Sequence, residues 1–431
     1  MNRERPKLLF LAWSFPPIRA IGAVRTWNIA KSLTRLGWDV TVVTPDPQLI
    51  RNPDSPERIE AAIAREGIER IFTKHDWRFL SPDRFICKNG GIQWVIEGVC
   101  RRVARRFGVS RGVGWLKQAQ RACSHIRREE VDLILASGPP FDGFVLAERL
   151  AKMLGRPYVL DYRDPWWTEV RGMFRVLQPM VDRLEARLVT RSAAVTVVSP
   201  SWAADLDSQF NVGPKLHVLT NGYDPEELAD IEPHYFGHFA IVYTGIFYPP
   251  ERVITPVLSA LKLLDRKQVR GEWCFHYYGD DDRHVREEAL RLGVGHRVKL
   301  HGMVSRLAAL SAVKGANVAI VIASVSENAS DGLAGWIPAK IFETVGLGVP
   351  VLLIAPFGSD VEKIGGPTGL IHRFSGRDIQ GIASFLEKTI LGSINIEKKD
   401  VESLSWTWIG QKLDRILREH TSARITPWTQ A

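Results

Sequence analysis

Short apolar runs alternate with amphipathic helical segments along this chain, and this pattern constrains its fold more than any other feature. In the first half, the runs that we predict to be strands are Leu8–Ala12, Asp39–Thr44, Val131–Ala136, Tyr158–Asp161 and Ala194–Val198. The predicted helices are Val24–Leu36, Asp142–Leu154 and Met180–Ser192. Strands that alternate with helices in this way predict βαβ units and a parallel sheet buried on both faces.

The second half repeats the alternation. Its predicted strands are Ala240–Tyr243, Trp273–Tyr278, Val298–Leu300, Val318–Ile322 and Val349–Ile354. Its predicted helices are Ile254–Leu264, Arg283–Leu292, Arg306–Lys314 and Ala339–Val345. A chain of 431 residues is too long for one ordinary core, so we expect two doubly wound, Rossmann-like α/β domains.

The expected first domain is 1–230 and the second is 231–405, with the Pro- and Glu-rich stretch Asp224–His238 as the linker. The C-terminal segment 406–431 contains an amphipathic helix that can pack back on the first domain.

The four cysteines form neither a CxxC pair nor a cluster with histidine, which disfavours a zinc site or a disulfide scaffold. The first apolar run is too short for a signal peptide, and no run approaches 18 uncharged apolar residues, so we expect a cytoplasmic protein.

Positive charge is concentrated in one segment. The net charge is +9, yet the stretch from Arg84 to Arg128 alone contains eleven Lys or Arg and one acid, Glu97. This local patch argues against general nucleic-acid binding. Within it, 92–107 has apolar residues at helical spacing and arginines on the opposite side. Such a helix fits either docking on an anionic membrane or packing of its apolar stripe on its own domain.

The loop after the first predicted strand is a candidate phosphate site. Gly22 and Ala23 precede the helix expected from Val24, and a turn of small residues at a helix N-terminus presents free amides to an anion. Arg25 offers a charge-assisted bond, although a tight turn with a solvated arginine has the same pattern. A GxGxxG fingerprint is absent, which disfavours a dehydrogenase.

Two further strand-end loops contain candidate ligand-binding residues. Ser137-Gly-Pro-Pro-Phe-Asp142 and Asp161-Tyr-Arg-Asp-Pro-Trp-Trp167 place polar and aromatic residues where open α/β sheets bind ligands. Arg163 and Asp164 can pair with each other or reach substrate hydroxyls or phosphate. In the second half, Pro338 begins a predicted helix, and Lys340 and Glu343 share one of its faces. They fit either a surface ion pair or the binding of ribose and phosphate.

Taken in order, these motifs resemble the family 4 retaining glycosyltransferases. The matching pieces are FPP with GA-x-x-R, SGPP, D-x-R-D-P-W, TNGYD at Thr220–Asp224, YTG at Tyr243–Gly245, V-x-L-H-G at Val298–Gly302 and PAK-x-FE at Pro338–Glu343. They span nearly the whole chain. The resemblance implies a GT-B fold, with two Rossmann-like domains facing each other across a cleft, and a nucleotide-sugar donor.

The resemblance also assigns residues. It places Gly22 and Ala23 against the donor diphosphate or the acceptor, Glu343 on the donor ribose with Lys340 close by, and the Tyr243–Gly245 loop near the diphosphate. Arg252 stands in for a lysine that this sequence lacks. Our predicted catalytic residues are Arg252, Lys340 and Asp164. Our predicted donor-binding residues are Gly22, Ala23, Arg25, Thr244, Gly245, Pro338 and Glu343.

The implied reaction is retaining transfer to a glycan or lipid-linked acceptor of cell-envelope polysaccharide synthesis, without metal or other cofactor. We interpret Asp280–Asp282 as a helix cap before Val285 and not as a metal site. The sequence departs from the family at Gly335, where an acid is usual, with Glu327 or Asp331 as possible substitutes, and it lacks the usual histidine of the first domain. A sugar-nucleotide epimerase and a non-catalytic binding protein on the same fold are the alternatives.

Overall fold

A computed structural model describes residues 5–18, 20–50, 56–74, 113–166, 178–327 and 334–421. The chain divides into two units: unit 1 is Met1–Thr220 with Ile409–Ala431, and unit 2 is Asn221–Trp408. The predicted membrane-docking segment 92–107 lies outside the described residues, as does Asp331.

Unit 1 is built on a seven-stranded sheet in the order β3-β2-β1-β4-β5-β6-β7, in which every neighbouring pair is parallel. Its strands are β1 (Lys7–Leu11), β2 (Asp39–Pro45), β3 (Glu69–Thr73), β4 (Leu133–Gly138), β5 (Tyr158–Tyr162), β6 (Ala194–Val197) and β7 (Leu216–Val218). Its described helices before residue 220 are α1 (Ile21–Arg35), α2 (Pro56–Glu66), α3 (Val113–Ala122), α4 (Asp142–Leu154), α5 (Gln178–Arg191) and α6 (Pro200–Phe210).

Unit 2 repeats this plan with six parallel strands in the order β10-β9-β8-β11-β12-β13. The strands are β8 (Phe239–Thr244), β9 (Trp273–Tyr278), β10 (Val298–Leu300), β11 (Val318–Ile322), β12 (Val351–Ile354) and β13 (Ile371–Phe374). The described helices are α7 (Pro225–Ala229), α8 (Thr255–Arg266), α9 (Asp282–Leu292), α10 (Arg306–Lys314), α11 (Lys340–Gly346), α12 (Asp360–Gly365) and α13 (Ile379–Ile390). The last helix, α14 (Trp406–Thr421), begins in unit 2 and ends in unit 1.

The central strands are buried on both faces, as their continuous apolar sequences require. All five residues of β11 are buried, and both neighbours of β1 in the sheet, β2 and β4, are also largely buried. In unit 2, residues of β8, β9 and β11 that point to one face form a core with α8 and α13. The predicted fold class of two doubly wound α/β domains is therefore confirmed.

The C-terminal part of α14 is fixed to unit 1 by specific contacts. The fully buried Trp38 donates its indole N–H to Asp414 at 2.6 Å. Lys412 donates to the backbone oxygen of Val218 at 2.9 Å. These bonds place residues of α14 against the ends of β2 and β7, so the amphipathic pattern of this helix reflects burial against unit 1.

The expected linker is partly structured. Within Asp224–His238, the side chain of Asp224 accepts a hydrogen bond from the backbone of Glu226 and so starts α7. Leu228 and Ile231 are buried in a core cluster of unit 2. The stretch therefore belongs to the packed body of unit 2, because its few apolar residues fall at spacings that reach this core. None of the described helices combines the length and the apolar character needed to cross a membrane.

Candidate functional site

Each sheet has one point at which the strand order reverses, and ligands of such sheets bind at the carboxyl ends of the strands there. In unit 1 this point lies between β1 and β4, and in unit 2 it lies between β8 and β11. The predicted residues Thr244 and Gly245 stand at the end of β8, and Gly138 ends β4.

Lys340, the first residue of α11, contacts the loop that follows β8. Its Nζ donates to the backbone oxygen of Thr244 at 2.5 Å and lies 4.0 Å from the ring centroid of Tyr243. Burial, with the positive charge of Arg252, lowers the pKa of Lys340 to about 7, against a small opposing effect of Glu343. The amine is therefore divided between its charged and neutral forms near neutral pH, and a nearby anion would favour the charged form.

Arg252 is the second cation of this region. Its Nε donates to the backbone oxygen of Ala323 at 3.1 Å, directly after β11. The guanidinium carbon lies 5.1 Å from the ring centroid of Trp336 and 5.5 Å from that of Tyr248. Among the described residues, neither Arg252 nor Lys340 has a carboxylate within salt-bridge distance. Both cations are thus held by carbonyl oxygens and aromatic rings at the carboxyl edge of this sheet, where the carboxylates of Asp281 and Glu251 bond to Phe247 and Ser324 instead.

Two glycines keep the backbone close together at this edge. Gly245 has φ +117, a conformation that favours glycine, and its N–H donates to the oxygen of Tyr278 at 2.8 Å. A Cβ atom at Gly279 would lie 2.3 Å from the backbone oxygen of Gly245. A side chain at Gly279 would therefore displace the loop after β8, which is the loop that Lys340 contacts.

Glu343 lies on α11 with Lys340, but the two do not form the expected surface ion pair. The Glu343 carboxylate pairs with Nη1 of Arg306 at 2.7 Å, and Arg306 also binds Glu227 through two bonds of 2.9 and 3.0 Å. Burial acts to lower the pKa of Arg306, but the two carboxylates raise it above its usual value. Pro338 is buried just before α11, and its oxygen accepts from the N–H of Ile341 at 3.0 Å.

In unit 1, three strand-end loops meet around Arg163. Its Nε donates to the backbone oxygen of Gly138 at 3.2 Å, and Nη2 donates to that of Pro139. A Cβ atom at Gly22 would meet the guanidinium of the same arginine, so a side chain there would displace the end of Arg163. Asp164 follows Arg163 and is half-buried. The structure thus brings predicted residues of the loops after β1, β4 and β5 to the point where the strand order reverses.

The start of α1 differs from the prediction. Gly22 and Ala23 do not precede the helix but lie in its first turn, because Ala20 is the extended residue at which the helix begins. The N–H of Ala23 already bonds to the oxygen of Ala20 at 2.9 Å. Fewer amides of this turn are therefore open to an anion than the sequence suggested.

Arg25 is placed differently from the predicted phosphate contact. It is 1% exposed, and its guanidinium donates to both carboxylate oxygens of Asp161 at 2.6 and 3.0 Å. It also donates to the backbone oxygens of Leu219 and Thr220. Burial acts to raise the pKa of Asp161, but the charge and hydrogen bonds of Arg25 and bonds from two hydroxyls hold it below the usual value. The charge of Arg25 is therefore already neutralised inside unit 1.

Other predicted residues also have structural partners. Asp281 is the N-cap residue of α9, as the helix-cap interpretation expects, yet its carboxylate accepts from the N–H of Phe247 at 3.0 Å and makes no side-chain cap bond. Glu327, a possible substitute for the acid missing at Gly335, pairs with Arg377 at 3.1 Å. Within the described ranges, no three His, Cys, Asp or Glu side chains are arranged to hold a metal ion.

A row of histidines crosses one face of the sheet of unit 2, and the sequence analysis missed it. His276 of β9 lies between His238, with 2.8 Å between their Nε2 atoms, and His301, whose Nε2 is 3.0 Å from Nδ1 of His276. The three rings stack nearly parallel. Burial and the neighbouring histidines and Lys299 lower the pKa of His276 to about 3. The residues are far apart in sequence, so only strand pairing brings them together.

Arg306 is the other residue to which we had assigned no role in the site. It begins α10, in the segment that follows β10 in sequence. A wider inspection of the segments that follow each strand would have selected it, as it selected Arg163.

Comparison with known proteins defines the class. Residues 22–222 match the family model of the glycosyl transferase 4-like domain. Searching the curated proteins by sequence gives no significant match. Among solved structures, the chain is similar to sucrose-phosphate synthase from Thermosynechococcus elongatus, with 14% identity, a TM-score of 0.59 and coverage of 96% of this chain and 99% of that chain.

Two further structures show the same likeness. A glycosyltransferase from Rickettsia africae has 14% identity and a TM-score of 0.55, with 97% of this chain and 95% of that chain covered. Alr3699/HepE of Anabaena in complex with UDP has 14% identity and a TM-score of 0.56, with 96% of this chain and 100% of that chain covered. Alr3699/HepE was also solved with UDP-glucose.

The fold and the domain match together define a glycosyltransferase of the GT-B class. Residues 22–222, nearly half of the chain, match the glycosyl transferase 4-like domain, so the resemblance found in the sequence is confirmed for this part of the chain.

Proposed function

We propose that this protein is a retaining, metal-independent hexosyltransferase that uses a nucleotide sugar to extend a glycan or lipid-linked acceptor of envelope polysaccharide synthesis. The observation that carries the proposal is the pair of cations at the carboxyl edge of the sheet of unit 2. Among the described residues, Lys340 and Arg252 have carbonyl and aromatic partners but no carboxylate. A diphosphate supplies the negative charge that this pair lacks.

The same cations provide the chemistry that the reaction needs. As the bond from the sugar to the diphosphate breaks, negative charge grows on the leaving phosphate oxygen. Fixed positive groups that meet this charge lower the barrier without rearranging during the reaction. In a retaining transfer on one face of the sugar, the leaving oxygen itself accepts the proton of the acceptor hydroxyl, so a separate protein base is unnecessary. Asp164 remains our candidate on the acceptor side.

Glu343 is our candidate for the donor ribose. Its carboxylate is 24% exposed, so part of it is open to a ligand although it pairs with Arg306. A carboxylate accepts bonds from two vicinal hydroxyls, which is the pattern of a ribose. Arg306 and Glu227 would hold the carboxylate in position while it binds, because Arg306 bonds both acids at once.

The donor assignment is tested by calorimetric titration with UDP, GDP, ADP and CMP. UDP is the first choice because Alr3699/HepE was solved with UDP and UDP-glucose. We expect one nucleoside diphosphate to bind at micromolar affinity and Glu343→Ala to weaken it at least about tenfold, since a hydrogen bond to a charged group is worth about 1.5–3 kcal/mol. Glu397→Ala, an exposed glutamate of the same unit, is the control. Binding of no nucleotide, or equal binding by both variants, contradicts the assignment.

Transfer is tested separately from binding. Release of free sugar from the preferred nucleotide sugar by the purified chain, without added metal and in the presence of a chelator, is the expected minimal activity. Tight binding without any hydrolysis or transfer would favour the non-catalytic alternative.

The membrane setting of the acceptor is an inference from the sequence of 92–107. Co-sedimentation of the protein with phosphatidylglycerol vesicles that is lost in high salt would support it.

A further inference from the structure

Unit 1 contains a pocket to which the donor chemistry assigns no role. It lies at the carboxyl ends of β5 and β6, where Tyr162 and Val197 end their strands, and α5 and α6 form its sides. The space between its lining residues, including the solvent at its mouth, is about 460 Å³. All of its described lining residues belong to unit 1.

Two tryptophans form the apolar walls of this pocket. Trp166 is 9% exposed and stacks on Phe141, with ring centroids 4.6 Å apart and an interplanar angle of 11°. Trp202 of α6 is 6% exposed. Phe141 covers one face of Trp166 and fixes the indole, so the ring meets the pocket as a rigid wall. Rigid aromatic walls suit ligands that have a flat apolar surface, such as the C–H face of a sugar ring.

A buried carboxyl group contributes a polar contact to the lining of this pocket. Glu185 of α5 is 5% exposed, and burial, with the charge of Asp182 and against the opposing Tyr162 hydroxyl, raises its pKa to about 8. At neutral pH this side chain is mostly protonated, so it both donates and accepts hydrogen bonds. The Tyr162 hydroxyl lies near it but makes no hydrogen bond of ordinary geometry to any described residue. Donors and acceptors together at one buried point match the hydroxyls of a sugar.

The charge of the lining excludes one class of ligand. Asp182 and Asp205 line the pocket beside the mostly protonated Glu185, and its described lining contains no lysine or arginine. Phosphates and sugar acids would be repelled. The remaining polar lining includes Gln178 and Gln209, whose amides hydrogen-bond to neutral hydroxyls without a charge requirement.

We infer that this pocket binds one uncharged monosaccharide unit, namely a sugar of the acceptor glycan. The assignment of this sugar to the acceptor rests on the proposed function, in which the donor-binding groups Lys340, Arg252 and Glu343 all belong to unit 2. The sugar ring packs on Trp166 and Trp202, and its hydroxyls bond to Glu185, Asp205 and Gln209. The pocket then selects a neutral sugar over a charged one.

Saturation-transfer NMR on the full chain tests this inference. The probes are the methyl glycosides of glucose, galactose, mannose and N-acetylglucosamine, with methyl glucuronide as the anionic probe and methyl glucosaminide as the cationic probe. We expect at least one neutral glycoside to bind at millimolar concentration and the glucuronide to show no transfer. UDP is added to a parallel sample, so that donor binding is read independently.

Substitutions in the pocket lining test whether the neutral glycoside binds there. Asp205 and Gln209 are exposed positions of α6, so Asp205→Ala/Gln209→Ala should fold and should weaken the neutral glycoside at least about fivefold. Ser208→Ala on the same helix lies outside the lining and should bind as the wild type does. UDP affinity should be the same in all three proteins.

Three results overturn the inference: no neutral glycoside binds, only the glucosaminide binds, or the double variant binds the glycoside as well as Ser208→Ala does. If UDP still binds in these cases, the donor assignment stands and the pocket assignment alone fails. If a glycoside binds normally but UDP does not, the pocket is a sugar site and the proposed transferase function fails.

Discussion

Lys340 donates to the backbone oxygen of Thr244, and this contact, not one with Glu343, determines where its ammonium lies. The sequence placed Lys340 and Glu343 on one helix face and left a mutual ion pair open. In the structure the lysine faces the loop after β8, while Glu343 pairs with Arg306. The positive and the negative group of α11 therefore have different partners.

Nucleotide binding should be accompanied by proton uptake. The pKa of Lys340 is lowered to about 7, so at pH 8 the amine is mostly neutral, and a bound diphosphate should raise the pKa and add a proton. Calorimetry at pH 8 in two buffers of different ionisation enthalpy should show an uptake of between half and one proton. Lys340→Met should abolish this uptake and weaken binding at least about tenfold, whereas Lys267→Met, an exposed lysine paired with Glu387, should change neither. Equal proton uptake in Lys340→Met would contradict the assignment.

Gly279→Ala should impair the donor site through the backbone. The new Cβ atom would lie 2.3 Å from the oxygen of Gly245, and backbone cannot move away as the end of a side chain can. We expect a lower melting temperature and a loss of nucleotide affinity of at least about tenfold. Gly366→Ala has no atom within 4 Å of its Cβ position and should behave as wild type. A Gly279→Ala protein with normal affinity would show that the loop after β8 does not shape the site.

Asp161→Ala should destabilise unit 1 without altering donor binding. It leaves the guanidinium of Arg25 buried without its carboxylate, and breaking such a buried pair costs about 3–5 kcal/mol. Thermal unfolding followed by fluorescence should show a clear loss of stability. Replacing both partners, Arg25→Leu with Asp161→Leu, should recover part of it. If UDP affinity instead falls in a folded Asp161→Ala protein, Arg25 has the ligand role that the sequence suggested.

Stability of unit 2 should fall between pH 6.5 and pH 3. The pKa of His276 is about 3 in the fold and about 6.5 in an unfolded chain, so over this window the unfolded state binds more protons. Stability therefore rises with pH through the window and is lost on acidification. We expect His276→Gln to reduce the slope of melting temperature against pH in this window. The reduction should correspond to less than one proton in the difference between the unfolded and folded states. His296→Gln, an exposed histidine paired with Asp265, is the control, and an unchanged slope in His276→Gln would rule out this source.

Sequence reasoning located the central strands well, because buried parallel strands are continuous apolar runs. The strands from Trp273 to Tyr278 and from Val318 to Ile322 have the predicted bounds. The missed strands lie in outer positions of the sheets: β3 begins with two charged residues, and β7 and β13 are only partly buried. Strands at sheet edges need less apolar sequence, so periodicity alone does not identify them.

For the candidate site, the strand-end rule selected a set of loops but could not predict the partners of each side chain. Arg25 was an apparent phosphate ligand because its sequence neighbours are small and apolar. Its partner Asp161 is 136 positions away in sequence, and only the pairing of strands brings the two together. The same holds for Glu343 with Arg306, and for the pocket between α5 and α6. Periodicity and local spacing carry no information about such long-range contacts.

The path of the chain through the two units has a consequence for biosynthesis. Residues 221–408 of unit 2 are contiguous, whereas unit 1 is completed only by the part of α14 that carries Lys412 and Asp414. A ribosome releases the N-terminal end first. Unit 1 therefore emerges early but waits, with Trp38 lacking its hydrogen-bond partner, until unit 2 has been synthesised. Unit 1, whose synthesis starts before that of unit 2, is therefore the last to be finished, so a truncated chain that ends at Trp408 should show a protease-resistant unit 2 beside a protease-sensitive unit 1.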